Sequence, residues 1–227
     1  MERHLDQLLA ELKANFLRVG AAVEESIDQA VHSLVERDNG LASEVIRGGA
    51  DIDRWEVEIE DQCLKLMATQ APVASDLRLL ATLIKANYDL ERCNDQAVNI
   101  AQRTLVLNTM PLLKPLIDIP RMAELARRMV KDALDAFVQC DAAMARQVCL
   151  MDEQVDQLRD QIFRELLTYM HFAAQPDTVD RGVNLILISR HLERIGDHAS
   201  NIAENAIFLV EGRIVRHQKE KLAQHDN

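Results

Sequence analysis

Twelve residues occur twice in this chain, and they carry the side chains best suited to chemistry. Residues 90–101 read LERCNDQAVNIA and residues 192–203 read LERIGDHASNIA, identical at eight of twelve positions and 102 residues apart. Each copy sets a glutamate four residues before an aspartate, Glu91 with Asp95 and Glu193 with Asp197. On a helix such positions share a face, with Cβ atoms about 5–6 Å apart. Two like charges so placed cost a helix roughly 0.2–0.5 kcal/mol, and a bound cation offsets that cost. Asn99 and Asn201 extend each polar line by one turn, and Glu204 follows Asp197 by seven residues. Upstream, Asp53, Glu56 and Glu60 form a three-four series in one half, as do Asp152, Asp156 and Asp160 in the other.

An all-oxygen donor set of this kind selects hard or borderline cations: Mg, Ca, Mn or Fe. It differs from a structural zinc site, which prefers Cys and His. A single acidic pair would read as a solvated helix face. Its retention in both copies favours a metal site. Cys93, beside Glu91, is a weak soft-ligand candidate, and His191 and His198, flanking the second motif, read as surface or interface residues. The four cysteines, Cys63, Cys93, Cys140 and Cys149, lack C-x-x-C spacing and read as small buried apolar side chains.

Catalytic signatures are missing from the sequence. It contains no glycine-rich phosphate loop and no G-x-S-x-G elbow. No histidine has a glutamate three residues before it, which disfavours the Glu-x-x-His plan of di-iron bundles. A carboxylate-held metal that activates water stays open as a hydrolase reading, but no base or substrate pocket accompanies it.

The elements that must position these carboxylates are long helices in two matching halves. Residues 26–53 align with 129–156 at an offset of 103, pairing Ala30, Asp38, Val45 and Asp53 with Ala133, Asp141, Val148 and Asp156. A repeat of about a hundred residues indicates duplicated domains rather than a short-period solenoid. Apolar three-four spacing predicts a first helix from near the start to about residue 36. Asp38-Asn39-Gly40 reads as a turn. A second helix is expected over 41–68, ended before Pro72, and a third from an N-cap at Ser75 to about 107. Pro111, Pro115 and Pro120 interrupt helix and mark a boundary. Helices over 121–139, 142–172 and 178–210 repeat the plan, with Gly212 as the stop. The expected fold is all-α: two tandem, internally repeated three-helix bundles over 1–110 and 121–212, a proline-containing linker over 111–120, and a polar tail over 213–227.

Composition agrees. The 227 residues are 48% hydrophobic with only 7 Gly and 5 Pro, as long helices require. The net charge of −11 argues against nucleic-acid binding, which needs a basic face. No apolar run approaches the roughly 18 residues of a spanning helix, and the charged opening residues make no signal-peptide core. A cytoplasmic protein is expected.

Three further features narrow the reading: the duplicated motif in its LERIGD form followed by Asn-Ile, the segment Ala71-Pro72-Val73-Ala74-Ser75-Asp76-Leu77-Arg78, and Leu167-Thr168-Tyr169-Met170. With these, the chain closely resembles the PhoU family, accessory proteins of bacterial phosphate-specific transport, over essentially its whole length. The resemblance implies a six-helix PhoU-like fold and, in some members, multinuclear metal clusters of iron, manganese, magnesium or other divalent or trivalent ions on the acidic motifs. It implies a non-enzymatic adaptor, a homodimer, that represses the phosphate-starvation response and restrains phosphate uptake. Its implied partners are the ATPase subunit of a phosphate ABC transporter and a sensor histidine kinase, so that membrane contact is indirect. Residue by residue, the carry-over is Glu91 and Asp95, Glu193 and Asp197, and Asp152 and Asp156 as metal ligands.

The first copy departs from that pattern. Cys93-Asn94 replaces Ile-Gly, Gly49 stands opposite Asp152, and Gln102 stands opposite Glu204. The second copy is therefore the better expected site. Two other readings compete with the adaptor: a carboxylate-cluster metal-binding or storage protein without a regulatory role, and a carboxylate-metal hydrolase.

Overall fold

The structure, a computed structural model, describes residues 4–172 and 177–215. These residues form six helices: α1 His4–Val35, α2 Asn39–Gln70, α3 Ala74–Leu107, α4 Asp118–Gln139, α5 Ala142–Phe172 and α6 Thr178–Glu211. No strand occurs among the described residues. Helices α1–α3 make one three-helix bundle and α4–α6 repeat it, so the expected all-α class holds. The connection around Pro176 and the tail beyond residue 215 lie outside the described residues.

Matching chemistry ends the matching helices. Arg37 and Cys140, equivalent in the repeat, both hold positive φ, 59° and 55°. The residue after each is an aspartate that caps the next helix. Asp38 accepts from the amides of Gly40 and Leu41 at 2.8 and 3.0 Å. Asp141 accepts from Ala143 and Met144 at 2.9 Å each. Each aspartate amide also donates to a carbonyl five residues back, Asp38 to Ser33 and Asp141 to Ala136, at 2.9 Å. That closing bond satisfies carbonyls the helix end would leave orphaned. The Asp38–Gly40 turn signal is thus a helix stop and a helix start fused together. Gly212, with φ 67°, ends α6 as expected.

Two boundaries differ from the sequence expectation. Val73, not Ser75, is the N-cap of α3, and it makes no side-chain cap bond. Helix α4 starts at Asp118, ahead of Pro120. A proline in the first turn has no intrahelical amide bond to lose, so Pro120 is tolerated there. Cys140 is also exposed, at its helix end, while Cys63, Cys93 and Cys149 are buried.

The linker is strapped to the body rather than loose. The Arg37 guanidinium donates to the carbonyls of Asn108 and Met110 at 2.8 and 2.7 Å. Arg181, only 3% exposed, donates to that of Pro111 at 3.1 Å. Lys114 pairs with Glu165 of α5.

The two bundles pack through α3 against α6 and α1 against α4, and their buried apolar residues form one continuous core. Phe16 and Phe137 meet across α1 and α4 with ring centroids 5.5 Å apart. Gly20 permits the close approach there, since a Cβ on it would fall 2.5 Å from Leu134 Cδ1. At the α3–α6 crossing, the Cys93 thiol lies 3.8 Å from the carbonyl of Ile195, its own counterpart in the repeat. Two polar pairs flank this point. His198 Nδ1 lies 2.9 Å from Asp89 Oδ1, with Asn201 Nδ2 donating to the same oxygen at 3.1 Å. His191 Nδ1 lies 2.9 Å from Gln96 Oε1. Position 89 corresponds to 191 and 96 to 198, so the pairs are related by the internal pseudo-two-fold axis.

Candidate functional site

The motif helices are α3 and α6, and each lays its carboxylates toward the middle helix of its own bundle. In the first bundle, α3 presents Glu91 and Asp95 to α2, where Asp53 stands. One oxygen from each of these three carboxylates can be chosen so that all lie within 4.8 Å of one another. Among the described residues no second group of that kind is found. Glu91 is half-buried, and its carboxyl is pushed up to about 7, chiefly by burial and then by the charge of Asp95, with Asp53 adding to it. Glu56, one turn along α2 from Asp53, is likewise raised by burial, then by Glu60 and Asp53. Negative charge is therefore crowded here beyond what the protein itself neutralises.

Arg92 is the cation nearest this group. Its guanidinium lies 3.1 Å from Asp95 and 3.5 Å from Glu91. It stays at the rim, 42% exposed, held against Tyr88 with its Nε donating to the phenol oxygen at 2.9 Å. Even with Arg92 present, Glu91 keeps its raised pKa. Three convergent carboxylates on two helices fit a hard cation, which would relieve the crowding and tie α2 to α3.

The second bundle is built differently. Arg159 of α5 reaches across to α6, its Nη1 2.6 Å from Glu193 Oε1. The same guanidinium lies 2.9 Å from Asp160 and 3.8 Å from Asp156. Burial works to lower its pKa, but the charges of Glu193, Asp160 and Asp156 outweigh that and raise it. Asp152 is buried, and faces Gly196 of α6: a Cβ on that glycine would lie 3.6 Å from Asp152 Oδ1. Asp197 is also engaged in an interaction of its own.

The carboxylates that converge from two helices are Asp53, Glu91 and Asp95, with Arg92 of the motif helix itself at their rim, whereas Glu193, Asp156 and Asp160 gather around Arg159, which reaches across from α5. Asp53 was visible in the sequence as a member of the α2 acidic series. Arg159 was missed, although the repeat alignment exposes it: it stands where the first copy has Glu56. The departures at positions 49 and 94 also explain each other. A Cβ on Gly49 would lie 3.6 Å from Asn94 Nδ2, so the first copy sets a glycine on the middle helix against an asparagine on the motif helix. The second sets Asp152 against Gly196, the same fit with the sides exchanged. Asn94 in turn accepts from the Ser26 hydroxyl at 2.9 Å. Cys93, His191 and His198 all fall in the α3–α6 crossing, away from the carboxylate group, and burial holds the Cys93 thiol well above its usual range.

A duplicated three-helix bundle with a carboxylate ridge on the third helix of each copy defines a class of all-α tandem-bundle protein. The model of the PhoU domain matches this chain twice, over residues 16–104 and 119–206. The chain is 42% identical to the phosphate-specific transport system accessory protein PhoU homolog of Aquifex aeolicus, over 94% of this chain and 96% of that protein. It is 39% identical to the homolog of the same name from Pseudomonas putida, over 92% and 81%. Among solved structures it is similar to PhoU from Pseudomonas aeruginosa, with a TM-score of 0.88 at 36% identity over 92% of this chain and all of that one. The phosphate transport system regulatory protein PhoU from Streptococcus pneumoniae aligns with a TM-score of 0.86 at 30% identity, over 93% and 99%. The chain belongs to the PhoU family.

Proposed function

We propose that this chain is a cytoplasmic accessory regulator of phosphate transport that works without turnover. It couples the ATPase subunit of a phosphate ABC transporter to a sensor histidine kinase, and when phosphate is plentiful it represses the starvation response and restrains uptake. The observation that carries this reading is the double PhoU-domain match, with relatives named as phosphate transport accessory proteins along nearly the full length of both chains. The adaptor acts as a homodimer and meets the membrane through its partners. No helix among the described residues is long and apolar enough to cross one.

A metal ion belongs to this reading as a structural element. Asp53, Glu91 and Asp95 supply oxygen donors suited to Mg, Mn or Fe. A bound ion supplies positive charge between α2 and α3, which sets the spacing of those helices and the charge of the face they present.

The test is a starvation-response reporter, alkaline phosphatase activity, in phosphate-rich host cells lacking the gene. High activity that falls when the chain is restored supports the regulator. Low activity in the deletion strain, together with stoichiometric metal in the purified protein, shifts the reading to a metal-binding protein without a regulatory role. The converging Asp53, Glu91 and Asp95 are what favour that alternative.

A further inference from the structure

The two copies of the acidic motif differ by a charge reversal at one aligned position, 56 against 159. Glu56 adds a negative charge beside Asp53. Arg159 adds a positive one beside Asp156, and spans from α5 to Glu193 on α6 at 2.6 Å. Exchanging a carboxylate for a guanidinium changes the local charge by two units. We infer that the second bundle closes its acidic motif with Arg159 in place of a metal ion, so that metal binding in this chain is confined to the first bundle.

Three physical points carry this. A guanidinium in contact with Glu193, Asp160 and Asp156 takes up acceptor capacity that a cation would need. It is tethered, so its local concentration does not depend on supply, unlike an ion from solution. It also repels an incoming divalent ion at close range in a partly buried setting, where screening is weak. Arg92 does not play this part in the first bundle: it stands on the same helix as the carboxylates it touches and is more exposed than Arg159. Arg159 is therefore a positioning residue that joins α5 to α6, doing for the second bundle what a metal does for the first. The inference rests on the proposed metal role for the first bundle only.

The experiment is Mn²⁺ binding to the purified full chain, measured by titration calorimetry and by metal content after gel filtration. Asp53→Asn combined with Glu91→Gln is expected to remove the bound metal, while Glu193→Gln combined with Asp197→Asn keeps it. Arg159→Glu, which restores the first copy's residue, is expected to bring roughly twice the metal per chain by opening a second all-carboxylate site. If that variant does not fold, Arg159→Gln removes the guanidinium without adding charge and is expected to gain metal as well. Loss of metal in the Glu193/Asp197 variant of the otherwise native chain overturns the inference. So does a folded Arg159→Glu or Arg159→Gln protein that gains no metal. A native chain that holds no metal overturns the confinement of metal to the first bundle, and with it the metal role proposed there, even if Arg159→Glu holds some.

Discussion

The two bundles share a scaffold and differ in how they neutralise it. In the first, Asp53, Glu91 and Asp95 converge and Glu91 is driven up to about 7 by burial and its neighbours. In the second, the corresponding ridge is closed by Arg159. The helix turns that frame the two sites are alike, down to the left-handed residue and aspartate cap that turn α1 into α2 and α4 into α5. A duplicated fold can thus keep its helix geometry while one residue changes the charge balance of its acidic ridge.

The comparison can be broken or sharpened in four ways. The largest effect is expected at the rings joining the halves. Phe16→Ala removes a fully buried side chain packed on Phe137 of the other bundle, at a cost of about 3–5 kcal/mol. Thermal unfolding should remain one transition at lower temperature. Two separate transitions, with the second bundle unaffected, would show that the halves are independent.

The next effect separates Arg37 from Cys140, equivalent residues with the same left-handed backbone. Glycine suits that backbone at both places. Cys140→Gly should change stability by less than about 1 kcal/mol in either direction. Arg37→Gly also loses two charge-assisted bonds to the linker carbonyls of Asn108 and Met110 and should cost about 1.5–3 kcal/mol in urea unfolding. Equal effects would mean that the strap contributes nothing.

Smaller still are the two N-caps. Asp38→Ala and Asp141→Ala should each cost about 0.5–2 kcal/mol, and should match each other. A large difference between them would show that the repeat is not energetically equivalent at its best-matched point.

The remaining effects are in pH dependence, and they have opposite signs. His191 is lowered to about 4, by burial first and then by Arg194, Arg103 and Arg190. Its folded pKa lies below the unfolded value, so its contribution is intact above about 6.5 and is lost as pH falls toward 4. His191→Gln should gain stability relative to the native chain across that window. Glu91 is raised, so its contribution is intact below about 4.5 and is lost as pH climbs through about 7. In metal-free protein, Glu91→Gln should be the more stable of the two above pH 7 and indistinguishable below 4.5. Denaturant midpoints measured with a chelator present would check both.

Much of this was legible in the sequence because helix periodicity and punctuation are local. The apolar spacing of α1, the prolines at 111 and 115 and the stop at Gly212 each act within a few residues. Pro120 misled the reading because a proline breaks a helix interior but not a first turn. Ser75 misled it because a capping residue type does not make a cap when the helix starts upstream. The acidic pairs were legible as i and i+4 partners on single helices. What brings Asp53 to Glu91, and Arg159 to Glu193, is the packing of one helix on another, which spacing along either helix does not encode. The position of Arg159 opposite Glu56 was nonetheless present in the repeat alignment, as was the compensating exchange of Gly49 with Asn94 for Asp152 with Gly196.

Cys93 and Ile195 occupy the same place in the two repeats and meet at the pseudo-axis. At the axis a residue is its own counterpart's neighbour, so a change there is felt by both copies at once. The thiol of Cys93 rests on the backbone carbonyl of Ile195 rather than on a second thiol, so at this one point each half of the duplicated chain is part of the other's environment.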